Sequence, residues 1–396
     1  MASTINIFTL NCWGIPVVSK NRKERIEAIA KYLSQASHNI VCLQEIWSEK
    51  DYLYLTEKLS ENLPYSHYFY SGVLGSGLCV FSKWMIQDVF FHQWPLNGYI
   101  HKIHHGDWFG GKGVGLCRIK CNNTLINVYC THLHAEYHAD DIYLAHRVLQ
   151  AYSAAEFVNL TTLPADVSIL AGDLNTAPGD LSFRVITQLP ALIDPGSLDH
   201  IAKNFNKIPG TCNNINNSYS DAKLVKSCPE GRRIDHILFH VNPSFKADVI
   251  NFGNPLEDRV PGESFSYSDH NAVYLELKLT NSNDKFKQRR LSVDERLQET
   301  IEEAINVCKE ATKTIAKSKR LFLLTGGLIF MFLLGSVGVW PNSVLSDILR
   351  IIITGICFYY IIMGTLWNRI ELNNIKAGLI GLENFSKSRN DMKAIN

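Results

Sequence analysis

Two β-sheets packed face to face, with helices outside them and a two-helix membrane hairpin behind, is the α/β architecture this 396-residue chain predicts. Three observations carry the prediction. Short apolar, β-branched runs bounded by turn residues recur through residues 1–283, the pattern of many short strands. Helical three-to-four spacing is confined there to a few segments, too few for a helical bundle and enough to cover the outer faces of two sheets. Near the C-terminus two continuous apolar runs, 321–340 and 351–367, approach the roughly 20 residues that cross a bilayer.

The strands are predicted at Ile5–Leu10, Ile40–Leu43, Gly77–Phe81, Gly115–Ile119, Leu125–Tyr129, Val167–Ala171, Ile234–Phe239 and Ala272–Leu279. Helices are predicted at Arg22–Gln35, Glu49–Leu59 and Ile142–Asn159. Further on, Ser292 and Glu295 have the spacing of a capping box, and Leu297, Ile301, Ile305, Cys308 and Ile315 follow at helical intervals. With Lys285, Lys287, Arg289 and Arg290 upstream, this amphipathic segment reads either as a linker helix packed on the preceding domain or as a membrane-surface helix meeting anionic lipid. A core helix rarely stays apolar on every face for five turns, so the two apolar runs read as membrane spans. The chain therefore divides into a domain at 1–283, a basic juxtamembrane linker at 284–320, spans at 321–340 and 351–367, and a tail at 368–396. Lys313, Lys317, Lys319 and Arg320 crowd the start of the first span, which places the N-terminal domain and the tail in the cytoplasm by the positive-inside rule.

With 46% hydrophobic and 19% charged residues, the chain can bury a sizeable core. Residues 1–283 hold 23 Lys and Arg against 27 Asp and Glu, while residues 284–396 hold 16 against 11. The slightly acidic front offers no bulk positive charge for a duplex, and no nucleic-acid partner is expected. Ten cysteines occur without a Cys-x-x-Cys pair, which argues against zinc and for buried reduced thiols. The first residues alternate as a strand does and do not form a secretory signal.

Chemistry-bearing residues cluster at the predicted strand ends. Asn11 follows the first strand and Glu45 the second, in Leu43-Gln44-Glu45-Ile46-Trp47. His132 and His134 follow Asn127-Val128-Tyr129, and Asp173 and Asn175 lie in Gly172-Asp173-Leu174-Asn175. Asp235 stands in Arg233-Ile234-Asp235-His236, and Asp269 and His270 close the set. Singly, each is ordinary turn or strand-end chemistry. Together they supply a base for water and carboxylates for a cation, the needs of metal-assisted phosphoester hydrolysis.

In this order the set resembles the DNase I-like endonuclease/exonuclease/phosphatase superfamily over about residues 3–280, which implies a four-layered α/β sandwich. The strings Leu10–Pro16, Gly75–Lys83, His104–Phe109 and Thr131–Tyr137, with the paired spans, look like its neutral sphingomyelinase branch. The resemblance implies a Mg2+-dependent hydrolase of sphingomyelin, releasing ceramide and phosphocholine. It assigns Glu45 as the main Mg2+ ligand with Asn11 beside it, His270 as general base and Asp235 as the partner of its imidazole. Asp173 and Asn175 would orient water and a phosphoryl oxygen, Asp269 would belong to the metal-side network, and His132 would donate to the phosphate. His134 receives no role. The family also implies an internal membrane of endoplasmic reticulum or Golgi type.

Lys112 reads either as a phosphate contact or as a solvated turn lysine, and Trp108 and Phe109 as a lipid entrance or as core aromatics. A choline head group needs an aromatic or acidic partner, for which Trp108 and Tyr99 are candidates. The rivals are a lysophospholipid phospholipase C or inositol-phosphate phosphodiesterase with the same metal site, a tethered nuclease, and a non-catalytic membrane scaffold.

Overall fold

A computed structural model describes residues 3–102, 105–137, 140–163, 165–204, 210–282 and 295–395. The chain begins with β1 (Ser3–Asn11), α1 (Arg22–Gln35), β2 (Ile40–Gln44), α2 (Glu49–Leu59), β3 (Tyr65–Tyr68), β4 (Cys79–Ser82) and β5 (Ile86–Gln93). After a short turn of 3-10 helix at Gly106–Phe109 come β6 (Gly113–Cys121), β7 (Thr124–His132), α3 (Leu144–Thr161), β8 (Val167–Asp173) and α4 (Leu181–Gln188). Short helices α5 (Asp199–Asn204) and α6 (Ala222–Ser227) precede β9 (Asp235–Val241), β10 (Phe245–Gly253) and β11 (Val273–Asn281).

These strands form a six-stranded sheet, β10-β11-β1-β2-β4-β3, and a five-stranded sheet, β5-β6-β7-β8-β9. Both are mixed: β1 runs parallel to β2 and β7 parallel to β8, and every other pair is antiparallel. The period of two along β1 shows how the layers are built. Ile5 and Ile7 enter the core between the sheets with Val80, Val128, Ile169 and Leu275. Phe8 and Leu10 face the other way, into a second core with Ile26, Ile29 and Leu33 of α1 and Leu55 of α2. A strand buried on both faces must be apolar throughout, and each such side chain contributes about 1.5–3 kcal/mol by leaving water.

The predicted helices at Arg22–Gln35 and Glu49–Leu59 form with those bounds, and the third is shifted by two residues at each end. The eight predicted strands all form, several of them longer than predicted. Three strands were not predicted: β3, β5 and β10. Each lies at a sheet edge, where one long side faces no neighbour, and β5 and β10 keep few buried residues. A bulge between Val249 and Asn251 further breaks the alternation of β10. Edge strands carry polar residues because an apolar edge would aggregate, and that removes the signal by which strands are read. The short helices α4, α5 and α6 were also missed. Eight of the ten cysteines are buried, in the small-hydrophobe role expected of them.

The chain divides into two compact units, residues 1–99 with 103–300, and residues 100–102 with 301–396. The second is helical. It takes up most of α7 (Glu295–Gly335), then α8 (Val344–Ile362), a π-helical turn at Met363–Trp367 and α9 (Asn368–Ile395). The amphipathic segment and the first apolar run are thus one continuous helix, which ends at Gly335, and Ser336–Trp340 turns out of it. The second helix begins at Val344, ahead of the apolar run. Ser292 of the capping box and the basic residues at 285, 287, 289 and 290 lie outside the described residues. The stripe Leu297, Ile301, Ile305, Cys308 and Ile315 is buried, and α7 meets α9 through Ile315 O, which accepts from Asn368 Nδ2 at 2.9 Å, and through Lys309 and Glu383. Cys357 Sγ reaches Gly326 O at 3.4 Å, so α7 and α8 form a hairpin. Both helices are long and apolar enough to cross a membrane, and only 6% and 17% of their most apolar stretches is buried. A core helix would show the reverse.

Candidate active site

Strand register gathers the chemistry at one edge of the sandwich. Because β1 and β2 are parallel, with Asn11 opposite Gln44, Asn11 and Glu45 leave the sheet side by side. Strand β11 runs antiparallel to β1 and starts opposite Thr9, so the residues just before it, Ser268 to His270, arrive at the same edge. In the other sheet His132 is opposite Asp173, and Asp173 is opposite Asp235. Antiparallel β6 begins beside the end of β7, which delivers Lys112 next to His132. The backbone is bent to suit: Glu45 and Asn175 adopt left-handed conformations, with φ of 58° and 47°. Gly172, just before Asp173, has φ 146°, and a Cβ there would lie 2.0 Å from Thr131 O. Only glycine lets β7 and β8 approach so closely at this point.

Asn11 joins the two sheets, its Nδ2 donating to Glu45 Oε1 at 3.1 Å and to Asp173 Oδ2 at 2.9 Å. Ser268 Oγ donates to Asn11 O at 2.6 Å and to Asp269 Oδ1 at 3.2 Å, which ties the Asp269 loop to the end of β1. Asn175 Nδ2 donates to Leu133 O at 3.1 Å and to Asp173 Oδ2 at 3.3 Å. Asp235 Oδ2 lies 2.8 Å from His270 Nδ1, fixing the ring so that Nε2 is the nitrogen left for chemistry.

The sequence-predicted residues Asn11, Glu45, His132, Asp173, Asn175, Asp235, Asp269 and His270 are thus brought together. Lys112 joins them and is not a solvated turn lysine. It is 3% exposed, paired with Asp107, and its Nζ lies 3.0 Å from His132 Nε2 and 3.4 Å from Leu133 O. Trp108 stacks on Phe109, and of the two only Phe109 lines the cavity. Tyr99 packs against Tyr143 and His146 and does not line it. His134 is buried, with Nδ1 2.8 Å from Ala135 O and 3.5 Å from Asp107 Oδ2.

Two residues that sequence reasoning passed over organise this edge. Asp107 is buried and meets Lys112, His134, the Tyr137 hydroxyl at 3.1 Å and Ala135 N at 3.3 Å. Arg25 of α1 is fully buried and donates to Cys12 O (2.6 Å), Trp13 O (2.7 Å), Lys20 O (2.9 Å) and Tyr267 O (3.3 Å). It clamps the segment after Asn11 to the one before Asp269. An arginine in the first turn of a helix gives no sequence signal for such a role; an aspartate five residues before a lysine gives a faint one.

The electrostatics divide the site. Burial, and then Asp269, push the Glu45 carboxyl up; burial raises Asp269 as well. Burial and neighbouring Asp235 push Asp173 up to about 7. Burial alone would raise Asp107, but Lys112, His134 and His132 overcome it and hold that carboxyl well below the usual range. Burial and Lys112 keep His132 neutral, far below the ordinary imidazole value. His270 goes the other way: Asp235, with help from Cys212 and Asp173, overcomes burial and raises it.

The donor set fits a hard divalent cation. Glu45 and Asp269 are buried carboxyls raised above their ordinary range, and with the Asn11 amide beside Glu45 they offer oxygen donors of the kind such ions take; the neighbouring ligand atoms of Asp173, Asp235 and His270 lie within 4.8 Å of one another. A cavity of about 520 Å3 opens over these groups, lined by Glu45, Lys112, His132, Asp173, Asn175 and His270 and also by the apolar Ile15, Pro16, Val18, Leu74 and Phe109.

The chain matches the Endonuclease/Exonuclease/phosphatase family over residues 8–270. It is 41% identical to human sphingomyelin phosphodiesterase 2 over 279 residues, covering 70% of this chain and 65% of that protein. A Caenorhabditis elegans protein, provisionally named a neutral sphingomyelinase, is 35% identical over 95% of this chain and 89% of its own length. The matches span less than two thirds of the first curated relatives. Among solved structures, a Staphylococcus aureus beta toxin mutant with bound magnesium ions superposes with a TM-score of 0.51 at 16% identity, over 71% of this chain and all of that one. Sandwich topology, the placement of acidic residues at one sheet edge, and the extent of these matches agree: the chain belongs to the Endonuclease/Exonuclease/phosphatase family.

Proposed function

We propose that the chain is a membrane-anchored, Mg2+-dependent neutral sphingomyelinase that hydrolyses sphingomyelin to ceramide and phosphocholine. The observation that carries this reading is the cavity itself, whose lining combines a buried carboxylate and histidine cluster with a set of apolar side chains. A phosphodiester with a greasy leaving group fits both sets. The named relatives support the choice of lipid.

Glu45 and Asn11, with Asp269 nearby, would hold Mg2+, which supplies Lewis-acid neutralisation of a phosphoryl oxygen when bound. Asp173 and Asn175 orient the attacking water. His270 Nε2 accepts its proton while Asp235 holds Nδ1, a bond forms from water oxygen to phosphorus, and the bond from phosphorus to the ceramide oxygen breaks. The departing ceramide oxygen takes up a proton from solvent, and His270 returns the one it accepted to solvent. Lys112 and His132 face the phosphoryl oxygens, and Lys112 contributes the positive charge there. His270 acts as a base only once the surplus negative charge around it is neutralised, which is the electrostatic reason the site calls for a divalent cation. The α7–α8 hairpin would tether this chemistry to an internal membrane with the catalytic unit in the cytosol, replacing a slow encounter with high effective concentration.

The test is purified full-length protein in mixed micelles with Mg2+, offered sphingomyelin, lyso-platelet-activating factor, phosphatidylcholine, inositol phosphates and plasmid DNA in parallel. Phosphocholine release from sphingomyelin, seen by 31P NMR and abolished by EDTA, is the expected result. Faster cleavage of a lyso-lipid or an inositol phosphate transfers the assignment to that head group; cleavage of DNA alone removes it.

A further inference from the structure

We propose that the loops at 15–18 and 70–74 form a bilayer-docking surface that inserts around the mouth of the catalytic cavity. The proposal rests on the lipid-substrate reading above and deepens it. Val17 is fully exposed, and Val18 and Val73 are 67% and 84% exposed. Tyr70 and Leu74 are exposed beside them. Isolated apolar residues on a surface need no explanation. Here they border one opening, because Ile15, Pro16, Val18 and Leu74 also line the cavity. The loops are held in place: Gly14 N donates to Glu45 O at 3.0 Å, and Gly111 N donates to Gly75 O at 2.9 Å.

Val17 adds an independent observation. Its φ is 71°, a left-handed backbone that β-branched side chains strongly disfavour and that asparagine or glycine adopts readily. Local folding therefore argues against valine here, and so does exposure to water. A residue disfavoured on both counts is explained by a third environment, one in which its methyl groups are buried. The occupant is a lipid bilayer: the apolar rim continues into the wall that would receive a lipid, the same chain carries two helices apolar enough to span a membrane, and exposed Lys20 and Lys23 follow the first loop, where they meet anionic head groups.

The experiment uses the full-length protein reconstituted in vesicles of phosphatidylcholine, phosphatidylserine and sphingomyelin. The double variant Val17→Asn, Val73→Asp should lose about 10- to 100-fold in hydrolysis of vesicle sphingomyelin, from the lost burial of two side chains. Hydrolysis of a monomeric, water-soluble phosphodiester should stay unchanged, and Val17→Asn alone should melt no lower than the parent. Equal activity of variant and parent on vesicles overturns the proposal, as does an equal loss on both substrates. Insertion is read separately from turnover. Brominated phosphatidylcholine should quench a Val73→Trp variant by more than the parent, whose Trp340 and Trp367 lie at the apolar helices, and a Leu53→Trp variant at exposed Leu53 on α2 should be quenched no more than the parent. No extra quenching at 73 over the parent overturns docking even if sphingomyelin is cleaved; extra quenching without any lipid hydrolysis leaves docking in place and removes the substrate assignment.

Discussion

The two sides of the catalytic edge bury carboxylates and solve the resulting electrostatic problem in opposite ways. Around Asp107 the chain supplies its own cation, Lys112, and the carboxyl is held far below its ordinary range. Around Glu45, Asp173 and Asp269 the nearby donors are too few, and all three carboxyls are raised. A buried charge left unpaired is costly, so the first region is complete as folded and the second is built to receive positive charge.

The comparison can be broken by substitution, and the largest effect should come from its reactive side. His270→Ala should reduce turnover by about 10²–10⁴-fold, and His270→Gln, which keeps a donor towards Asp235, should lose turnover to a similar degree with less loss of melting temperature than His270→Ala, both read on the same preparations. A mild kinetic defect would move the base elsewhere. On the self-compensated side the effect should be structural. Asp107→Asn leaves Lys112 buried without its carboxylate and should lower stability by about 3–5 kcal/mol. Adding Lys112→Met should recover much of that stability without restoring activity. If Asp107→Asn melts like the parent, the pair is not the internal compensation described here.

Acid should reach the raised carboxyls of the reactive side first, and because Asp173 is pushed up to about 7, its protonation below that favours the folded state. The folded Asp107 carboxyl titrates below its unfolded value, so its contribution is present above about pH 4 and is lost only below that. His236 and His38 are lowered by burial to about 4. For a histidine buried neutral, the unfolded chain binds more protons between the two values, so stability falls as pH drops from about 6.5 towards 4. Each should cost up to about 3 kcal/mol across that window. His38→Phe should therefore lose less melting temperature than the parent between pH 6.5 and 4.5, and an identical pH dependence of the two contradicts this. The smallest of the four effects concerns the raised carboxylates. Glu45→Gln should weaken Mg2+ binding by at least about 10–100-fold, read as loss of the Mg2+-induced rise in melting temperature that the parent shows. An unchanged rise would take Glu45 out of the cation site.

Much of this was legible in the sequence, and the parts that were not share a cause. Central strands such as β1, β7 and β8 are buried on both faces and read as apolar runs, and their ends carry the Asn, His and Asp that the site uses. Edge strands β3, β5 and β10 were illegible because their exposed sides mask the alternation. Asp107 and Arg25 were illegible for a different reason. Much of their role lies in contacts with distant residues, as with Arg25 and Tyr267 O or Asp107 and the Tyr137 hydroxyl, and no local pattern encodes such partners; only the nearby Asp107–Lys112 spacing leaves a faint trace.

By itself the sequence determined the two-sheet class, the apolar hairpin and the residue types needed for metal-assisted hydrolysis, because burial and hydrophobic period act locally along the chain. Only the tertiary structure decided which charges meet. Lys112 could be a solvated lysine or a buried cation until β6 and β7 paired, and His132 a charged or neutral ring until Lys112 was set beside it. Burial multiplies the interaction between charges, so those outcomes rest on distances of a few ångströms that are set when strands pair.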